Sequence, residues 1–195
     1  MNERWLAGCA LVVSLGSLGG CRENRKSETM TAHDVTSPPA SPRPPGAAPV
    51  TRKLAEAIDK AATHAGSSPH FRFRRGHEIS GITTFDVRDD GSYELSRTPR
   101  KGGPPLAFTG RLDAAQRQAL FGALSRAAIL SVASSTRPLG DDEQPIAVEL
   151  DGAGEHFALS IWAGDARDSP QFSELAAQLY PLLDHLSGGA LLLQP

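Results

Sequence analysis

Residues 70–96 read HFRFRRGHEISGITTFDVRDDGSYELS, and their spacing decides the fold. Phe71 and Phe73 alternate with Arg72 and Arg74, the two-residue period of a strand with one apolar face. Ile79, Gly81, Thr83, Phe85 and Val87 hold the same period, which predicts a second strand with all five on one face. Asp89-Asp90-Gly91 supplies a turn, where glycine accepts a positive φ at no steric cost. Tyr93 and Leu95 then continue on a third strand, so residues 79–96 form a predicted hairpin.

Further along, Arg97 to Pro105 is a polar loop and Leu106 to Arg111 a short fourth strand. The period then changes. Asp113-Ala114-Ala115-Gln116 is a capping box, the Asp accepting from the third amide while the Gln reaches back. Leu120, Phe121, Leu124, Ala127 and Ala128 follow on one face, predicting a helix over 114–128. Ile146, Val148 and Leu150, a turn at Asp151-Gly152-Ala153-Gly154, and Phe157, Leu159 and Ile161 make a second hairpin. Ser169-Pro170 opens a last helix carrying Phe172, Leu175, Leu179, Leu182, Leu183 and Leu186, with proline favoured at its first position. Pro181 removes one internal hydrogen bond and predicts a kink, and Gly188-Gly189 closes the helix. Three or four strands, a helix, two strands and a helix make an α+β two-layer sandwich. Its sheet is mainly antiparallel, with two helices on one face. The domain spans 69–189, and 190–195 is a tail.

The chain before this domain has a different composition. Leu54, Ala55, Ile58, Ala61 and Ala62 recur at helical spacing and predict a short helix at 52–65. It either packs on the domain or is simply nascent helix. Residues 37–46 are Pro-rich and nearly free of large apolar groups, so 21–68 is expected to be a disordered tether. Extended at ~3.1 Å per residue, roughly 30 such residues reach on the order of 90 Å.

Residues 1–20 have the layout of a signal peptide: Arg4 near the start, an apolar run from Trp5 to Leu18, then small residues. The run is shorter and richer in glycine than a spanning helix of ~20 residues. Leu18-Gly19-Gly20-Cys21 resembles the lipobox of bacterial lipoproteins. Leu6-Ala7-Gly8-Cys9 has the same short pattern but almost no apolar segment before it. The resemblance implies cleavage before Cys21, lipidation at Cys21, and a membrane partner reached through that lipid. Arg22, where enteric bacteria place Asp for inner-membrane retention, points to the outer membrane, facing the periplasm. Cys9 and Cys21 are the two cysteines, so the processed domain has no disulfide framework and no thiolate metal site.

No motif of catalysis follows. His77-Glu78 lacks the second His of a zinc hydrolase helix, and His33, His64, His70, His156 and His185 have no metal-ligand spacing. Asp86, Asp89, Asp90 and Gly91 fail as a calcium loop, because Arg88 and Arg97 fall at ligand positions. Asp141-Asp142-Glu143 reads as a solvated acidic loop. No Gly-x-Ser-x-Gly elbow or phosphate-cradling loop is present. No metal, cofactor or catalytic residue is expected.

Two features suggest binding. Arg72, Arg74 and Arg75, with Arg97, Arg100 and Lys101, would form one positive patch if the first and third strands are close. Net charge is −2, which excludes a field of nucleic-acid-binding strength. Trp162 is out of phase with Leu159 and Ile161, so it faces away from the core or packs beneath the Ala163 to Asp168 loop. Arg72, Arg74 and Trp162 are the candidate binding residues.

The aromatic-basic strand Phe71 to Arg75, the run Gly76-His77-Glu78-Ile79-Ser80-Gly81, the helix within 112–130, the 146–150 strand and a last helix with Leu182-Leu183 carry a second resemblance. In this order of elements the domain resembles emfourin-like protease inhibitors, small bacterial α+β proteins that act on thermolysin-like metalloproteases. Those proteins tend to show Gly-Gly where this chain has Gly76-His77, and no inhibitory residue carries over. The resemblance implies a protein partner, a protease. The expected function is a non-catalytic, envelope-tethered protein-binding module. The alternatives are an envelope hydrolase without a recognisable motif and a structural or assembly lipoprotein.

Overall fold

The computed structural model describes residues 52–64, 66–100 and 103–191. The expected signal peptide, Cys21 with its expected lipid, the Pro-rich segment, Lys101 and the last four residues lie outside the described residues.

The elements are helix α1 (Arg52–Thr63), strands β1 (His70–His77), β2 (Gly81–Val87), β3 (Ser92–Thr98) and β4 (Leu106–Arg111), and helix α2 (Ala114–Arg126). A 3-10 turn (Ile129–Ser131) follows, then β5 (Pro145–Gly152), β6 (Glu155–Trp162), the short helix α3 (Ala163–Asp168) and α4 (Pro170–Leu186). The strands form one open antiparallel sheet in the order β4-β3-β2-β1-β5-β6. The class is α+β, as expected from the alternation of periods. β1 is central because the second hairpin adds beside it, Phe73 pairing with Val148 on one side and Phe85 on the other.

One face of the sheet is buried. Phe71, Phe73, Phe85, Val87, Leu95, Ile146, Val148, Leu150, Leu159 and Ile161 join one core with side chains from all four helices. Phe71 packs edge-on to Phe85, and Phe73 edge-on to Tyr180 of α4. More helix covers this face than the two helices expected. α1 packs against α2, and α2 against α4.

The helix at 52–65 belongs to the packed body. Leu54, Ile58 and Ala61 are buried, and the Leu54 backbone N–H donates to the Glu155 carboxylate at 2.8 Å. An unpaired amide of the first helical turn is thereby tied to β6. Among the described residues the packed body includes Arg52–Thr63, which lies within the 21–68 range expected to be tether.

α2 opens as expected: the Gln116 N–H donates to Asp113 Oδ1 at 2.7 Å, and the Asp113 N–H to Gln116 Oε1 at 3.0 Å. Ala128 leaves the helix at φ 44 and is exposed, so the apolar face ends at Ala127. α4 begins at Ser169, whose hydroxyl accepts from the Phe172 N–H at 3.2 Å, and continues past Pro181. Ile79 is a correction: it sits 65% exposed in the turn between β1 and β2, not on the buried face of β2.

Candidate functional site

The opposite face of the sheet carries no helix among the described residues. Register sets its composition. His70, Arg72 and Arg74 of β1 lie in rows with Asp151, Glu149 and Ala147 of β5, and the latter pair with His156, Ala158 and Ser160 of β6. On the other side Arg72 and Arg74 oppose Asp86 and Thr84 of β2, which oppose Glu94 and Ser96 of β3.

The two candidate arginines have different surroundings. Arg72 is fully engaged: Nε lies 3.3 Å from Asp86 Oδ2, and Nη1 donates to Glu149 Oε2 at 3.0 Å. The Glu149 hydrogen bond raises the Arg72 pKa above its ordinary value, with Asp86 acting in the same direction. His70 Nε2 meets the other Asp86 oxygen at 2.8 Å, and His156 Nδ1 meets Asp151 at 2.6 Å. In this half of the face Arg72 meets two carboxylates and each histidine meets one. Arg74 is exposed and makes no ion pair or hydrogen bond among the described residues. Its row is small and uncharged, and Thr84 and Ser96 bond each other at 2.9 Å. An unengaged guanidinium among small residues can donate to a carboxylate or backbone carbonyl of a partner without first giving up a bond.

Among the described residues Arg72 and Arg74 do not join Arg75 and Arg97 in a single positive patch. β2 separates β1 from β3, and strand alternation sends Arg75 and Arg97 to the helix-covered side. Arg75 lies over the Tyr180 ring at 5.3 Å and donates to Gln144 Oε1 at 3.1 Å. Arg97 donates to Thr83 Oγ1 at 3.2 Å.

Trp162 is half-buried at the end of β6 on the same face as Arg74, one row further along. Its indole Nε1–H donates to the Arg137 carbonyl at 2.8 Å, and its backbone N–H to Ser135 Oγ at 2.9 Å. The following segment is helix α3 rather than a loop, with Trp162 at its N-cap. Trp162 thus binds its own chain with its polar atoms and leaves part of the ring exposed.

Around it lies a cluster that sequence reasoning missed. Ser135 Oγ donates to Asp165, and Arg137 Nε donates to Asp165 Oδ1 at 2.9 Å. Arg137 Nη2 donates to Glu143 Oε1 at 2.6 Å. The Arg137 bond lowers the Glu143 pKa to about 2, helped by the backbone amides of Gly140 and Gly164. Asp165 is likewise lowered, first by the Ser135 hydroxyl and then by Arg137. Glu143 stood in an acidic triplet that looked merely solvated. Its partner six residues away carried no signal, since the 137–143 turn has no regular period.

A groove of ≈570 Å3 at the other end of the sheet is lined by Lys60, His70, Arg88, Asp89 and Asp151, among others. His70 and Asp151 are already engaged with Asp86 and His156. The hydroxyl of Ser68, which also lines it, donates to the Asp89 backbone carbonyl rather than to an imidazole or carboxylate. Among the described residues no group of three or more His, Cys, Asp or Glu is placed to hold a metal ion. No described helix is long and apolar enough to cross a membrane.

The fold and this face define an α+β domain with one covered and one open sheet face. No protein-family model matches the chain, and no curated protein matches it significantly.

Proposed function

We propose that this protein is a cell-envelope lipoprotein, held by lipid on Cys21, whose domain binds a protein partner through the open sheet face. The observation that carries the binding part is the row of small residues around Arg74, uncovered and unpaired among the described residues, with the half-buried Trp162 ring on the same face. The anchor rests on Leu18-Gly19-Gly20-Cys21 after an apolar run, and on the absence of any later cysteine. The outer membrane, facing the periplasm, is the favoured site because Arg22 replaces a retention Asp. A non-catalytic role is favoured because Arg72, Asp86, Glu149, His70, His156 and Asp151 of this face meet one another, and among the described residues none of them stands beside a nucleophile. The order of elements shared with emfourin-like inhibitors makes a thermolysin-like metalloprotease the partner class to test first.

Labelling with palmitate tests the anchor: the wild type takes up label, and Cys21→Ala does not. An unlabelled, freely soluble wild type would remove the anchor. Purified protein added to a thermolysin-like protease should inhibit it, and Arg74→Glu should weaken that inhibition while Arg126→Glu, on α2, should not. Equal loss with both substitutions, or no inhibition by the wild type, would overturn the protease reading.

A further inference from the structure

The two edges of the sheet are treated differently. At the Ser160–Trp162 end of β6 the chain covers its own edge: the Ser135 N–H donates to the Ser160 carbonyl at 2.9 Å, and the Ser160 N–H to Ser134 Oγ at 3.1 Å. With the Trp162 bond to Ser135, the 134–135 segment occupies the place of a next strand. β4 has no such cover among the described residues, where it pairs with β3 alone. Nor does it carry the usual protections of an edge, such as a lysine, an internal proline or a buried charge. Arg111, its one charge, sits at the last position and is paired with Asp90 at 2.9 Å.

We infer that two copies of this chain join through β4, edge to edge and antiparallel, making one continuous sheet. The occupant follows from the self-complementarity of Leu106–Arg111. A two-fold axis perpendicular to the sheet keeps the helix-covered faces on the same side, so paired residues must share a face. The register that centres on Phe108 sets it opposite Phe108 of the second copy. Leu106 then faces Gly110, Ala107 faces Thr109, and no like charges oppose each other.

The shape fits that register. Leu106 is 39% exposed, a large apolar side chain at the free edge. Across the axis it meets Gly110, where a Cβ would lie 2.8 Å from the Tyr93 ring. Tyr93 therefore already occupies the space over Gly110, and Leu106 of the second copy would land against that ring. Phe108, partly buried against the core, gains the missing side of its contact from its own counterpart. In this arrangement both open faces lie on one side of the joined sheet.

The test uses the processed protein in mild detergent, with the wild type in parallel to report any thiol contributed by Cys21. Ala107→Cys and Thr109→Cys chains, mixed and oxidised, should form a disulfide-linked dimer, because opposed Cβ atoms in such a pair lie ~4.5–5.5 Å apart. Each variant alone should form little, since its own position recurs two places away across the axis. Both residues are exposed, so the fold tolerates them. Sedimentation should give twice the monomer mass for the wild type and the monomer mass for Ala107→Lys/Thr109→Lys, which opposes lysines twice. A wild-type monomer at the highest soluble concentration would overturn the proposal. So would cross-linking of Ser160→Cys, at the covered end of β6, as efficient as that of the mixture.

Discussion

The Trp162 indole N–H and the Arg137 backbone carbonyl are joined by a 2.8 Å hydrogen bond that closes the 132–144 loop onto the end of β6. This bond uses the one polar atom of the side chain, and the Ser135–Asp165–Arg137–Glu143 network surrounds it. Trp162→Phe keeps most of the packing and leaves the Arg137 carbonyl without this donor. A net loss of about 0.5–1.5 kcal/mol is expected, the usual worth of one such bond. Urea unfolding of the two proteins side by side measures it. A change below that range would mean that water replaces the indole there.

Glu143 makes the stability of the same region depend on pH. Its pKa falls from an ordinary 4.5 to about 2 in the folded protein because Arg137 holds the carboxylate. A depressed folded pKa contributes stability that is complete above the unfolded value and is lost as pH falls through the folded one. The contribution should therefore disappear between about pH 4.5 and pH 2. The residue lies close to solvent, which screens the pair and keeps the effect modest. Glu143→Gln should show a shallower loss of thermal midpoint across that window, with little change in slope above it. Added salt should narrow the difference between the two proteins.

Helix α1 is joined to the domain by apolar burial, so it should report on the whole fold. Leu54 is fully buried and Ile58 2% exposed. Leu54→Ala is expected to cost about 2–5 kcal/mol, the range for a large core side chain cut to alanine. A chain starting after Thr63 should be destabilised further, because it also uncovers α2. If Leu54→Ala unfolded at the wild-type urea midpoint, α1 would be a helix resting on the surface rather than part of the core.

Local periods made most elements legible in advance. Phe71 and Phe73, the pair of hairpins and the Asp113 box each advertise themselves within a few residues. Which strand neighbours which is a different kind of information. The Phe73–Val148 pairing joins positions far apart in the chain, and no local pattern marks it. The fate of α1 was open for the same reason: its spacing specifies a helix, whereas its docking depends on Glu155 and on α2. Arg72 and Arg74 looked equivalent because their strand neighbours are alike. Register alone gives one two carboxylates and the other Thr84 and Ala147. Ile79 was misread because an alternating pattern runs on through a turn without interruption.

That turn gives the sharpest test of backbone conformation. Gly76 and Gly81 bracket it at φ +99 and +88, and the residues between them, His77 to Ser80, contain neither glycine nor proline. The conformational demand is placed on the two flanking glycines. A Cβ on Gly76 would lie 2.1 Å from the Gly81 carbonyl oxygen, so alanine there requires backbone movement as well as an unfavourable φ. Gly154, at φ +77 in the β5–β6 turn, has nothing within 4 Å of its Cβ position. Gly154→Ala should cost only the ~1–2 kcal/mol of left-handed backbone. Gly76→Ala should cost clearly more and loosen the β1–β2 pairing, seen as faster amide exchange from Ile82 to Thr84. Equal losses at the two sites would mean that the turn relaxes away from the clash, and that Gly76 is needed for its φ alone.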